Sequence, residues 1–343
     1  MPYDTTISPK RRPTAIDVAE LAGVSQSTVS RTFSNPGQIS EPTRARVIAA
    51  AEKLEYQVDI LGSRLRSSKV GVIAVVVIGR AGVPEKEVNP FHYSLLGSIC
   101  SAASEAGYDT LVSFQKEAFH GHYFERRQAD GVIVIGTTDN REGWQHFRKL
   151  GESNERIACW GSPFDDMQWV RSDNADGARQ AVRHLIASGY RNIVCLGATD
   201  SPQRQFLERY DGYCAAMTEA GLNPVLHPIS AALDREEQGR RGVQTLLAGD
   251  QPVDAIFAAC DAIALGVLEA LDTAGKKVPD EIGVIGFDGI YAARFSHPPL
   301  TTLAPDLTQA GIALVARIRA LVEGEQPPSP RIPVKLLVRQ STR

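Results

Sequence analysis

What this 343-residue chain lacks excludes several classes of protein. It has no apolar run of about 18 residues, the minimum for a membrane-spanning helix. The longest, Val72 to Ile78, is only strand-length. Its first residues, MPYDTTISPKRRP, carry no apolar core of a secretory signal, so a cytoplasmic location is expected. Five cysteines (Cys100, Cys159, Cys195, Cys214 and Cys260) are an odd number and widely scattered, which suits reduced thiols and not a disulfide framework or zinc site. No G-x-S-x-G elbow, Walker loop, H-E-x-x-H or post-strand G-x-G-x-x-G is present. No catalytic residue, metal ligand or cofactor is therefore expected. His120 and His122 are separated by one residue with no thiol or acid beside them, and read as loop residues. Net charge is only −3, so the whole chain is not a polycation.

Charge is unevenly placed. Residues 1–69 carry ten Lys and Arg against seven Asp and Glu, a local +3 that leaves −6 for the rest. The same region holds TAIDVAELAGVSQSTVSRTFSNPGQISEPTRAR. Thr14 and Asp17 have capping-box spacing ahead of the apolar positions Ile16, Val18, Ala19, Leu21 and Ala22. Gly23 suits a left-handed helix end. Ser25 then caps a second helix, Gln26 to Phe33, with Val29 and Phe33 expected to face inward. Asn35-Pro36-Gly37 reads as a turn. Ser40 and Pro42 open a third helix with Val47, Ile48, Ala51 and Leu54 as its stripe. A polar second helix after a glycine turn has the form of a helix that enters a DNA major groove. On periodicity alone, a small bundle with a polar face is the alternative.

The run IDVAELAGVSQSTVSRTFS, continued by ISEPTRARVIAAAEKLEY, closely resembles the helix-turn-helix of the lactose-repressor (LacI/GalR) family of bacterial transcription regulators. The resemblance extends at lower stringency over residues 14–343. It implies a flexible tail over residues 1–13, a DNA-binding domain over 14–58, a hinge helix over 59–69 and an effector-binding and dimerisation domain over 70–343. Base readout then falls to Gln26, Ser27 and Arg31, with Ser25, Thr28, Ser30 and Ser34 on the DNA backbone. In the connecting VDILGSRLRSSK, Leu65 matches the family's minor-groove wedge, flanked by Arg64 and Arg66 toward phosphates. Gly62 stands where alanine is usual and weakens that helix by roughly 1 kcal/mol.

From Val70 onward, strand-like runs (GVIAVVVIG, DTLVSF, DGVIVIG, RIACW, NIVCLG, DAIFAAC, GVIGFD) alternate with helical patterns at 94–106, 176–188, 207–220, 236–247 and 261–274. Such alternation predicts parallel sheets covered on both faces, in two similar lobes. The fold class is thus a small all-α helix-turn-helix head with a hinge helix, joined to a two-lobed α/β periplasmic-binding-protein-like domain. Lobe 1 is expected over about 70–170 and 303–326, and lobe 2 over about 171–302 and 327–343. The chain would cross between them near Arg171, Leu303 and Gln326.

Ligands in such sheets sit at the carboxyl ends of the strands, here the cleft between lobes. Arg209 matches the family's effector-clamping arginine and Asp288, in GFDG, an aspartate that accepts from the effector. Without the resemblance, the two read as a structural Arg–Asp pair. Asn89-Pro90-Phe91 keeps the family's turn into a helix, with His92 where a second aromatic is usual. Phe91, His92, Trp160, Gly161 and Cys260 complete the effector-binding set, the last two departing from the family's common polar residues. The expected partners are a pseudo-palindromic DNA operator, a small-molecule effector that is first of all a saccharide, and a second copy in a homodimer; no membrane is expected. A repressor is the first reading. The alternatives are a nucleobase or nucleoside effector and, from a different class, a sugar-binding protein or enzyme on the same α/β module.

Overall fold

The computed structural model describes residues 13–34, 36–56, 69–80, 89–153, 156–197, 204–230 and 233–343. They fall into two compact units divided at Lys69 and Val70. Gly62, Arg64, Leu65 and Arg66 lie outside the described residues.

The head has three helices: α1 (Ala15–Ala22), α2 (Gln26–Ser34) and α3 (Glu41–Lys53). Thr14 and Asp17 form the capping box in both directions, and Gly23 ends α1 at φ 65°. Ser25 Oγ accepts from the Thr28 backbone N–H at 3.2 Å and so caps α2. Ser40 differs from the expected cap: its hydroxyl donates to Thr43 Oγ1 at 3.0 Å and bonds no backbone N–H.

Val18, Ala19, Ala22, Val29, Val47, Ala50 and Ala51 make the buried core, with Leu54 packed at its edge. Four expected core residues are exposed instead: Ile16, Leu21, Phe33 and Ile48. Helices this short bury only a narrow strip each, and the small Ala residues let the axes approach. Thr32 takes the inward place given to Phe33, its hydroxyl donating back to the Thr28 carbonyl at 2.9 Å.

The large unit contains two six-stranded sheets of matching strand order. The first comprises β1 (Val72–Ile78), β2 (Asp109–Gln115), β3 (Gly131–Gly136), β4 (Ile157–Trp160), β5 (Gln168–Ser172) and β11 (Arg331–Ile332), in the order β11-β5-β4-β3-β1-β2. The second comprises β6 (Ile193–Gly197), β7 (Val225–Pro228), β8 (Ala255–Ala258), β9 (Gly283–Phe287), β10 (Thr301–Pro305) and β12 (Val334–Leu337), in the order β12-β10-β9-β8-β6-β7. All pairings are parallel except β10 with β12. The helices are α4 (Pro90–Glu105), α5 (Arg141–Ser153), α6 (Asn174–Ala187), α7 (Arg204–Glu219), α8 (Arg235–Ala248), α9 (Asp261–Thr273) and α10 (Leu307–Val322). Central strands such as β3 and β6 are buried along their whole length, as near-continuous apolar runs require. β2 lies at a sheet edge, and its Leu111, Val112 and Phe114 stay exposed.

The chain changes sheet three times, at Asp173, Asp306 and Pro333. The last change falls seven residues beyond Gln326, because Arg331 and Ile332 still pair with Arg171 and Ser172 of β5. Leu303, likewise, is still within the second sheet, opposite Phe287 and Leu336. The three crossings are bonded to one another: Asp173 N–H donates to the Ile332 carbonyl at 2.8 Å and Asp306 N–H to that of Pro333 at 3.3 Å. Asp173 and Asp306 also cap the helices they enter.

Candidate functional sites in the head and the interlobe cleft

On the head, α2 turns Gln26, Ser27, Ser30 and Arg31 outward, all exposed, with Thr28 half-buried. The first turn is pre-ordered by hydroxyls: Ser25 Oγ lies 2.8 Å from Ser27 Oγ and 2.9 Å from Thr28 Oγ1. Ser34 closes the helix. The seven positions named from the sequence therefore lie on one nine-residue helix and its cap, four of them exposed at Gln26, Ser27, Ser30 and Arg31.

In the large unit, the carboxyl ends of both sheets carry the remaining named residues. Asn89 Oδ1 accepts from the Phe91 N–H at 2.9 Å, which starts α4 with Phe91 and His92 in its first turn. Phe91 and Trp160, at the end of β4, are both buried with ring centroids 5.9 Å apart, and His92 stands edge-on to Phe91 at 5.8 Å. Burial pushes the His92 imidazole down to about 4, so it is neutral at physiological pH.

Gly161 follows Trp160 at φ 63°, and Gln205 of α7 donates to its carbonyl at 2.7 Å from the opposite lobe. A Cβ there would lie 1.9 Å from Gln205 Nε2. Gly161 thus offers backbone and a close approach, where an aspartate would offer a carboxylate.

Arg209 and Asp288, 79 residues apart, meet at 3.0 Å, Nη2 to Oδ1, both buried. Arg209 Nε also donates to Asn174 Oδ1 at 2.9 Å and Nη1 to the Ala259 carbonyl at 2.7 Å. Its guanidinium lies 3.7 Å from the ring centroid of Phe287. Gly212 permits this meeting, since a Cβ there would sit 2.2 Å from the Ala175 carbonyl and hold α7 away from α6. Asp288 adopts φ 120°, a strain of roughly 1–3 kcal/mol for a residue with a Cβ, and burial raises its carboxyl against the pull of Arg209.

Cys260 precedes α9, is buried, and has its thiol pushed up to about 12 by burial, so it presents no thiolate. Asp261 beside it is fully buried, accepting from Thr302 Oγ1 and the Ile290 N–H. Burial, then the charge of Asp288, raises its carboxyl to about 7.

Several cleft residues carry no signal in the sequence. Arg235, the first residue of α8, reaches across the cleft to Asp139 at 2.9 Å and lies 4.9 Å from the Phe206 ring centroid. Arg80 donates across the lobes to the Leu233 carbonyl at 3.4 Å. Asn174 and Glu208 form the inner wall behind Arg209. Only Asn174 had a local hint, a polar residue directly after a strand and an Asp cap.

Residues 14–59 match the profile of bacterial regulatory proteins of the lacI family, and residues 182–342 that of the periplasmic binding protein-like domain. The HTH-type transcriptional regulator DegA of Bacillus subtilis (strain 168) is 30% identical over 346 residues, covering 96% of this chain and 98% of DegA. The HTH-type transcriptional repressor CytR of Escherichia coli (strain K12) is 29% identical over 339 residues, covering 95% of each chain. Among solved structures, the complex of the transcriptional regulator CelR with cellobiose superposes with a TM-score of 0.66 at 26% identity, covering 96% of this chain and 100% of CelR. The Lac repressor dimer bound to operator and the anti-inducer ONPF shares the fold, with a TM-score of 0.71 at 24% identity over 97% of this chain and 99% of the repressor. The chain belongs to the lacI family: it is a DNA-binding transcriptional regulator with a ligand-binding domain. No described helix is long and apolar enough to cross a membrane.

Proposed function

We propose that this regulator is a repressor that binds a pseudo-palindromic operator as a homodimer, and that a neutral saccharide in the interlobe cleft controls its grip on DNA. One observation carries the choice of ligand. A guanidinium has five N–H donors. Arg209 uses one on each of its three nitrogens, which leaves one N–H on Nη1 and one on Nη2. Asp288 Oδ2 accepts no hydrogen bond among the described residues. Two donors beside one acceptor match a vicinal diol, whose hydroxyls both accept and donate. Because Asp288 already meets the charge of Arg209, a neutral polyol fits better than an anion. The Phe91–Trp160 pair supplies the apolar platform that a sugar ring prefers.

On DNA, Gln26, Ser27 and Arg31 read base edges, while Ser25, Thr28, Ser30 and Ser34 contact the backbone. Leu65, flanked by Arg64 and Arg66, enters the minor groove. Support for a homodimer comes from the exposed apolar edge of β2, where Leu111, Val112 and Phe114 lie beside Tyr93, its ring 6.1 Å from that of Phe114. The boundaries we propose are the head over 14–58, the hinge over 59–69 and the effector domain over 70–343, in the cytoplasm.

Thermal shift across glucose, galactose, ribose, cellobiose, maltose, trehalose, adenosine and cytidine tests this reading, since a ligand of the folded state raises Tm by linkage. A saccharide that raises Tm and changes operator affinity supports it. Stabilisation by a nucleoside alone replaces it.

A further inference from the structure

Behind Arg209 lies a buried charged cluster that the recognition of a ligand does not explain. Glu208, the preceding residue of α7, is buried, and its carboxylate accepts four hydrogen bonds. Oε2 accepts from Asn174 Nδ2 at 2.8 Å and from Arg331 Nη1 at 3.1 Å. Oε1 accepts from Arg331 Nη2 at 3.2 Å and from Arg171 Nη1 at 3.4 Å. Arg171 is 1% exposed and is held further by Asp165 at 2.8 Å and the Ser162 carbonyl at 2.8 Å. Both guanidinium groups lie near the ring of Trp169, at 4.3 Å for Arg171 and 5.5 Å for Arg331.

Two consequences follow from donor and acceptor chemistry. An ionised carboxylate only accepts, so Glu208 obliges Asn174 to present its NH2 toward it. The amide oxygen of Asn174 must then face the other way, where it accepts from Arg209 Nε. Glu208 therefore sets which end of the Asn174 amide meets Arg209. Its other partners stand on β5 and β11, each two residues before a crossing between the lobes, at Asp173 and Pro333. Burial alone would raise the Glu208 carboxyl, but the hydrogen bonds from Arg331 and Asn174 hold it below the ordinary glutamate value. It is ionised at neutral pH.

We propose that Glu208 is a positioning residue: through Asn174 it orients Arg209 for the effector, and through Arg171 and Arg331 it ties that arginine to the two strands that enter the lobe crossings. The proposal rests on the reading of Arg209 as an effector ligand. A ligand that draws on Arg209 pulls on a hydrogen-bonded chain that ends at the crossings. The residues that join the site to the lobe crossings are thus not the ones that touch the ligand.

A double-mutant cycle on the full-length protein tests this, with dissociation constants from calorimetry for whichever saccharide of the panel above binds wild type. We expect Arg209→Lys to weaken binding by about a hundredfold, since it removes the planar fork. Glu208→Gln should weaken it by about tenfold, and the double variant should bind within about twofold of Arg209→Lys alone, as for residues that act through one another. Multiplying penalties would mark Glu208 as merely structural and overturn the proposal, as would wild-type affinity in Glu208→Gln. If Glu208→Gln does not fold, Arg331→Gln takes its place: Arg331 is half exposed and no part of the Arg209 hydrogen-bond shell, yet the same non-additive loss is expected. If no panel saccharide binds wild type, or Arg209→Lys binds as wild type does, the reading of the cleft fails and this proposal falls with it. Loss in Arg209→Lys without loss in Glu208→Gln leaves that reading standing and removes only the positioning role.

Discussion

Nη2 of Arg209 donates to Oδ1 of Asp288 at 3.0 Å, with neither side chain more than a tenth exposed. A buried ion pair loses stability when one partner is removed, because the other charge is left without compensation. Asp288→Ala should therefore destabilise the sensor unit by about 3 kcal/mol. Asp288→Asn, which keeps one acceptor, should cost less. Urea denaturation checks both, and an unchanged midpoint in Asp288→Ala would contradict the pairing.

The buried carboxyl of Asp261 makes stability depend on pH. Its value rises from 3.8 to about 7 in the fold, for burial and the Asp288 charge favour the protonated form. Between those values the folded chain keeps a proton that the unfolded chain releases. Stability from this group is full below pH 3.8 and falls as pH rises through about 7. Asp261→Asn should flatten that fall in thermal denaturation between pH 4.5 and 7.5; an unchanged slope assigns the dependence elsewhere.

His92 runs the opposite way. Burial lowers its imidazole from 6.5 to about 4, so its contribution is present above 6.5 and lost as pH falls through 4. Tm profiles of His92→Phe and wild type should diverge on the acid side only. A difference that stays constant from pH 4 to 8 would count against it.

Gly161 combines φ 63° with Gln205 Nε2 only 1.9 Å from where a Cβ would stand. Gly161→Ala should cost more than about 1 kcal/mol. Adding Gln205→Ala should recover the steric part and leave the backbone part. Equal stability of the single and double variants would show that the side chain of Gln205 moves aside freely.

On the DNA side, Arg31→Ala should relax base preference at one position per half-site in a binding-site selection, at about 1–3 kcal/mol. A uniform loss over all sequences would make Arg31 a phosphate contact. For assembly, Leu111→Lys with Phe114→Lys should shift sedimentation from dimer to monomer and weaken operator binding together. A dimer that survives both changes lies on another surface.

Legibility varied with the range of the interaction. The capping box at Thr14 and the glycine stop at Gly23 depend on hydrogen bonds within five residues, and their residue types announced them. Periodicity misjudged Phe33, because α2 rotates Thr32 into the small head core and only packing sets that rotation. The DTLVSF run of β2 resembles a buried strand, and nothing local marks it as an edge. Arg209 and Asp288 were identifiable through the family resemblance. Glu208, Arg235 and Gln205 were not, as polar residues of the same types cover helix surfaces generally, and Asn174 had only its place after a strand and an Asp cap.

The sequence by itself determined the helix-turn-helix, the alternation of strands and helices, and membership of the regulator family, all of which are written in short-range patterns. Only the tertiary structure decided which arginines meet which acids. Arg209 reaches Asn174 across 35 positions and Asp288 across 79, and Glu208 reaches Arg331 across 123. Those pairings follow from where the three crossings bring the strand ends together. A buried charge must find its partner wherever the fold delivers one, and that place has no local signature.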